Sequence, residues 1–185
     1  MIIIMGKASS GKDAVKNALI KNHNYHGITT YTTRPMRKGE IQDATYHYIS
    51  EEEFLEKIDN GFFAEWKSYN VEDKTWYYGS AKEDLMNADN NTIIILTPDG
   101  VRDVKKSGID AKVIYLYANL HTIRKRLNIR NDNNDKAENR IQRDLKNFKS
   151  AELLANKIVY NNDGTSLDDV VKNIIEYVNG DMNEK

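Results

Sequence analysis

The segment Gly6-Lys7-Ala8-Ser9-Ser10-Gly11-Lys12 follows directly on the apolar run Met1-Ile2-Ile3-Ile4-Met5, and this junction limits the possible folds more than any other feature of the chain. It fits the phosphate-loop pattern G-x-x-x-x-G-K, with a strand before it and a helix carrying Val15, Ala18 and Leu19 after it. Glycines let the backbone turn so that successive N–H groups face an anion, and the positive end of the new helix faces it too. Lys12 reaches the β- and γ-phosphates of a bound nucleotide. A Ser or Thr that holds Mg²⁺ usually comes next; here the residue is Asp13, whose carboxylate is a candidate ligand for hydrated metal.

The rest of the chain repeats this strand–helix rhythm. Short β-branched runs at residues 92–96, 112–117 and 157–160 read as further buried strands. Ser50, with Glu53 three residues on, forms a capping box for a helix that turns Phe54, Leu55 and Ile58 to one side and ends near Asn60-Gly61. Leu120, Ile123 and Leu127 mark another helix, and Ser166 starts a last one with Val170, Val171, Ile174, Ile175 and Val178 inward. The expected architecture is α/β, with helices on both faces of a parallel sheet. Two stretches break the rhythm. Residues 30–84 are rich in Tyr and Thr, carry Arg34 and Arg37, and predict a small β-rich insertion; residues 127–145 carry Arg, Asn and Asp with few apolar residues and predict a solvated, mobile segment.

Composition removes several function classes. With 27 basic and 28 acidic residues the formal net charge is −1, so no global field draws in nucleic acid or an acidic membrane. Cysteine is absent, which excludes disulfides and thiolate metal sites, and the four histidines show no metal spacing. The apolar runs are too short to span a bilayer. A cytoplasmic protein with no nucleic-acid or membrane partner, as monomer or homodimer, is the expectation.

The run Thr30-Tyr31-Thr32-Thr33-Arg34-Pro35-Met36-Arg37-Lys38-Gly39-Glu40 resembles the guanylate kinase signature T-T-R-x-x-R-x-G-E. Tyr46, Glu65-Trp66 and Tyr77-Tyr78-Gly79-Ser80 follow in that family's order, and the resemblance extends over nearly the whole chain. It implies a single domain over residues 1–185. Residues 1–29, 85–122 and 146–185 form a P-loop kinase core with a five-stranded parallel sheet, residues 30–84 bind the acceptor nucleotide, and residues 123–145 form a lid. It implies transfer of the γ-phosphate of Mg²⁺-bound ATP to GMP or dGMP in purine nucleotide metabolism. Gly6, Lys7, Ala8, Ser9, Ser10, Gly11, Lys12, Asp13 and Ala14 line the ATP side, with Asp13 on the metal. The resemblance further implies that Arg34, Arg37, Tyr46 and Tyr78 hold the GMP phosphate and that Thr30, Glu65, Ser80 and Asp99 read the base. Arginine forks bind phosphate oxygens in pairs, and a carboxylate accepts from the two adjacent donors of guanine, N1–H and the N2 amine.

Arg126-Leu127, Arg130 and Arg140-Ile141 are similar to the family's lid pattern R-L-x-x-R followed by R-L, with Arg143 as a nearby substitute. Lys12, Arg126, Arg130 and Arg140 are thus the expected catalytic cations. The chain departs from the family at Leu96-Thr97-Pro98-Asp99-Gly100, where D-x-D is usual and Thr97 replaces the first carboxylate. Asn161-Asn162-Asp163 resembles a closing N-D element and equally suits a plain turn. Two other readings stay open: a kinase for another phosphorylated acceptor such as ribose 1,5-bisphosphate, and a non-catalytic guanylate-kinase-like interaction module. The intact Gly6, Gly11 and Lys12 weigh against the latter.

Overall fold

The computed structural model describes residues 1–71, 73–129 and 134–180. Five strands form an all-parallel sheet in the order β2-β7-β1-β8-β9: β1 (Ile2–Met5), β2 (His26–Gly27), β7 (Thr92–Ile95), β8 (Lys112–Tyr117) and β9 (Lys157–Tyr160). Four of them are the apolar runs read from the sequence. The fifth, β2, is a two-residue exposed edge strand with no apolar signature, and it joins through the pairing of Gly27 with Ile93.

Alternation along the central strand divides the core into two layers. Ile2 and Ile4 pack with Val15 and Leu19 of helix α1 (Lys12–Asn22) and with Val170, Val171, Ile174 and Val178 of α7 (Leu167–Gly180). Ile3 and Met5 point the other way, onto Val101 and Val104 of α4 (Pro98–Lys106), Leu85 of α3 (Lys82–Met86) and Phe148. A two-sided sheet explains why its strands are apolar runs and not alternating ones.

A second sheet, ordered β4-β3-β6-β5, lies within the predicted β-rich insertion: β3 (Tyr31–Thr32), β4 (His47–Tyr48), β5 (Phe63–Val71) and β6 (Lys74–Ala81). Helix α2 (Glu51–Asp59) packs on it through Phe54, which stacks on Phe63 at 4.4 Å. Ser50 Oγ accepts from the Glu53 amide, as the capping pattern predicts. Leu55, expected inward, is instead 41% exposed: the sheet is narrow, and one turn of the helix presents only Phe54 to it.

The predicted solvated segment also needs correction. Helix α5 (Leu120–Ile129) and, among the described residues beyond it, α6 (Asn134–Asn147) pack through Ile123, Leu127, Ala137 and Ile141. Three or four apolar side chains suffice to dock a helix that is otherwise charged. A 3₁₀ turn (Ala151–Leu154) leads from α6 to β9. Among the described residues no helix is long and apolar enough to cross a membrane.

Candidate active site

The site forms where the parallel strands end. In such a sheet the loops at the carboxyl ends of the strands converge beside the strand at which the order reverses, here β1. The loop of residues 6–11 leaves β1 there, and its shape depends on both glycines. A Cβ on Gly6 would lie 2.6 Å from the Leu116 carbonyl oxygen; one on Gly11, at φ +99°, would lie 2.5 Å from Asn161 Nδ2. The Leu116 carbonyl belongs to β8 and cannot yield. Gly6→Ala is therefore expected to destabilise the fold by about 2–3 kcal/mol, read as a lowered denaturation midpoint in urea.

Neighbouring side chains fix the outer surface of this loop. Arg126 of α5 donates from Nη1 to the Ser9 and Ser10 carbonyls, at 3.2 Å each, and from Nη2 to Asn161 Oδ1. Asn161 is buried at the end of β9 and donates back to the Ser10 carbonyl at 2.8 Å. The Asn161 element is thus part of the loop's scaffold and not a plain turn. The Lys12 ammonium folds onto the Lys7 carbonyl at 2.9 Å, and Asp144 of α6 accepts from the Ala8 amide at 2.6 Å.

Two features of the loop fit a polyphosphate. The glycines leave a cradle that a Cβ would fill, and Ser10 Oγ is buried with no hydrogen-bond partner among the described residues. For a metal the local offer is smaller. No group of three or more His, Asp or Glu side chains gathers among the described residues. Asp13, exposed in the first turn of α1, offers one carboxylate. That set suits Mg²⁺, which takes most of its ligands from phosphate and water.

A cavity of about 380 Å³ runs from this loop to the second sheet, lined by Gly6, Ala8 and Lys12 on one side and Thr30, Tyr46, Glu65, Tyr78 and Ser80 on the other. A β-bulge aims the key carboxylate. Phe63 pairs with Ala81 but Glu65 with Ser80, so one extra residue, Ala64, is accommodated on β5. Glu65 then sits opposite Ser80, whose hydroxyl donates to Oε1 at 2.6 Å. Glu65 is buried, and burial raises its pKa above the ordinary carboxylate value, against the Ser80 hydrogen bond and the Lys67 charge.

Arg34 is buried beside this cavity and held in a two-pronged pair with Glu40, at 2.9 and 2.8 Å. Glu40 also accepts from the Arg37 amide and the Tyr48 hydroxyl, and its pKa falls to about 2, chiefly through the Arg34 hydrogen bonds. The guanidinium lies over the Tyr46 ring, 5.5 Å from its centroid. Glu40 is therefore the orienting group for Arg34, a role the signature pattern alone does not reveal.

Not every predicted residue comes to the cavity wall. Arg37 is exposed, and Asp99 faces outward on α4, paired with Arg102 at 2.6 Å and with Lys67 at 3.7 Å. Thr97 stands at the wall instead; its hydroxyl caps α4 by accepting from the Gly100 amide. Arg140 and Arg143 are exposed on α6, and Arg130 lies outside the described residues. Lys67, Tyr69, Asp144 and Phe148 line the cavity without having been anticipated. For Lys67 and Tyr69 a signal exists, because they share the period-two face of β5 with Glu65. For Asp144 none does.

Comparison with known proteins follows the same outline. The guanylate kinase family pattern matches residues 1–180. A guanylate kinase of Wolinella succinogenes is 34% identical over 112 residues, 58% of this chain and 50% of that protein. Another, of Idiomarina loihiensis, is 26% identical over 182 residues, 92% of this chain and 85% of the relative. The chain spans about half the length of the first curated relatives it matches. The crystal structure of guanylate kinase from Anaplasma phagocytophilum superposes with a TM-score of 0.69 at 18% identity, covering 98% of this chain and 85% of that one, which shows a shared fold.

Proposed function

Because this chain belongs to the guanylate kinase family, we propose that it transfers the γ-phosphate of Mg²⁺-bound ATP to GMP, and to dGMP, in the cytoplasm. The observation that carries the reading is the single cavity joining the phosphate loop to a buried carboxylate, with Lys12 at one end and Glu65 at the other.

On this reading the core is residues 1–29, 85–122 and 146–185, the acceptor region residues 30–84, and the lid residues 123–145. The loop of residues 6–14 holds the donor polyphosphate through its amides and Lys12. Bound magnesium supplies neutralisation of the polyphosphate charge, and Asp13 would hold it. The acceptor phosphate meets Arg34, positioned by Glu40, with Tyr46, Tyr78 and, on closure, Arg37. Glu65 accepts from N1–H and the N2 amine of guanine, flanked by Thr30 and Ser80. Adenine presents an acceptor at N1 and leaves the carboxylate unpaired, which a buried site rejects strongly. Asp99, held by Arg102 and Lys67, takes no part in this reading unless those pairs break.

The reaction is one displacement. An oxygen of the GMP phosphate attacks the γ-phosphorus as its bond to the bridging β-oxygen breaks, giving GDP and ADP without a covalent enzyme intermediate. Charge on the moving group is met by Lys12 and by the lid-side arginines Arg126, Arg130 and Arg140. Closure brings these groups together and excludes water.

The test is ADP formation from Mg²⁺-ATP with GMP, dGMP, AMP, CMP, UMP and ribose 1,5-bisphosphate offered separately. Turnover confined to GMP and dGMP is expected. Turnover only with ribose 1,5-bisphosphate would keep the donor site and overturn the base-reading role of Glu65. Absence of turnover with every acceptor would favour the interaction-module reading.

A further inference from the structure

A phosphate loop exists to present amides to an anion, and in this structure one of those amides already has one. The Asp144 carboxylate accepts from the Ala8 N–H at 2.6 Å, across 136 residues of chain, and lines the same cavity as Gly6, Ala8 and Lys12. We infer that Asp144 is an internal anion that occupies the phosphate loop in the unliganded protein and is displaced by the donor nucleotide, so that donor binding and release of α6 are one event. The inference rests on the donor-site reading above.

Three features argue for it. The contact is short and charge-assisted, the strong class of hydrogen bond. The basic groups at the loop are engaged with its own carbonyls: Lys12 Nζ bonds the Lys7 carbonyl, and Arg126 of α5 bonds the carbonyls of Ser9 and Ser10. Asp144 also belongs to α6, whose Ala137 and Ile141 pack in one small cluster with Ile123 and Leu127 of α5. A phosphate oxygen and the carboxylate cannot share the Ala8 amide, and their like charges repel. The apparent affinity for a donor is therefore its intrinsic affinity multiplied by the fraction of molecules in which the loop is vacated. A polyphosphate, with many oxygens to engage, overcomes that factor; a lone phosphate group engages fewer amides and is held off. The lid-side helix thus stays docked on the loop until a polyphosphate arrives.

The experiment titrates the full chain and its Asp144→Ala and Asp144→Asn variants with ATP, and separately with inorganic tripolyphosphate, by calorimetry without acceptor. Both ligands are expected to bind Asp144→Ala about tenfold more tightly than the wild type. Asp144→Asn should gain less, because its amide oxygen can still accept from Ala8. Denaturation midpoints of the unliganded variants should fall at the same time, since the contact that impedes the ligand also holds α6. Unchanged or weaker ATP binding with a lowered midpoint would make Asp144 a plain structural contact and overturn the inference. A gain for ATP without one for tripolyphosphate would also overturn it, by placing the effect outside the loop. Wild-type protein that binds ATP while Asp144→Ala binds no better sinks this inference alone; failure of every form to bind either ligand sinks the donor-site reading with it.

Discussion

Glu65→Gln is expected to lower kcat/KM for GMP about a thousandfold while leaving the denaturation midpoint nearly unchanged. The substitution keeps the shape of the side chain and removes its charge and one acceptor. Ser80 constrains the outcome: its hydroxyl lies 2.6 Å from Oε1 and can either donate to the new amide's oxygen or accept from its nitrogen. In the first case the amide turns an NH₂ toward two guanine donors. In the second it offers one neutral oxygen where two charged ones stood. Either way at least one donor of the base is left unpaired in a buried wall, and the loss appears chiefly as a raised KM for GMP with kcat much less affected, because ground state and transition state share the contact.

The same carboxylate sets a pH signature. On the proposed reading the form that accepts from guanine is the ionised one, and burial raises the Glu65 pKa. The fraction competent to bind GMP therefore declines as pH falls through a midpoint above the ordinary carboxylate range. A pH profile of kcat/KM for GMP should show this acid limb in the wild type, and Glu65→Gln, which has nothing to titrate there, should lose it. An identical limb in both proteins would assign the titration to another group, such as the GMP phosphate, whose second pKa is about 6.

How much of this could be read from the chain alone differs from element to element. The phosphate loop and four core strands announce themselves, because a backbone that must cradle an anion needs Gly6 and Gly11 and a doubly covered sheet needs Ile, Val and Tyr in runs. The edge strand at His26–Gly27 does not, since it consists of two exposed residues whose pairing is decided by the neighbouring strand. Helix α6 was hidden by its composition: Ala137 and Ile141 give it a buried stripe too narrow to stand out among its charges. Among the proposed site residues, the arginines and tyrosines of the acceptor signature were legible as types. Their geometry was not, because the pairing of Arg34 with Glu40 depends on a turn that brings the two together. Asp99 shows the converse case. A carboxylate near the end of β7 looks like a site residue in one dimension, yet the start of α4 at Pro98 rotates it outward and leaves Thr97 at the wall.

The other large effect is expected at the opposite end of the cavity. Lys12→Met should reduce kcat about a thousandfold, a loss of about 4 kcal/mol in transition-state stabilisation. Methionine preserves most of the apolar stem and removes the charge proposed to stand beside the β- and γ-phosphates. The loop should survive, because the Lys7 carbonyl that accepts from the Lys12 ammonium also accepts from the Ser10 amide at 3.1 Å, and Arg126 and Asn161 continue to hold the Ser9 and Ser10 carbonyls. Binding of GMP alone should be nearly unaffected, since the contacts proposed for it come from the second sheet. A loss confined to kcat, with GMP affinity and the denaturation midpoint retained, is what a cation acting on the transferring phosphoryl group predicts. Arginine should not rescue it: a planar guanidinium lacks the compact charge that a lysine delivers within a tight backbone cradle. If Lys12→Met instead turned over GMP at a rate near that of the wild type, the loop would be a fold element without a catalytic charge. The chemistry would then have to be sought among the arginines of α5 and α6.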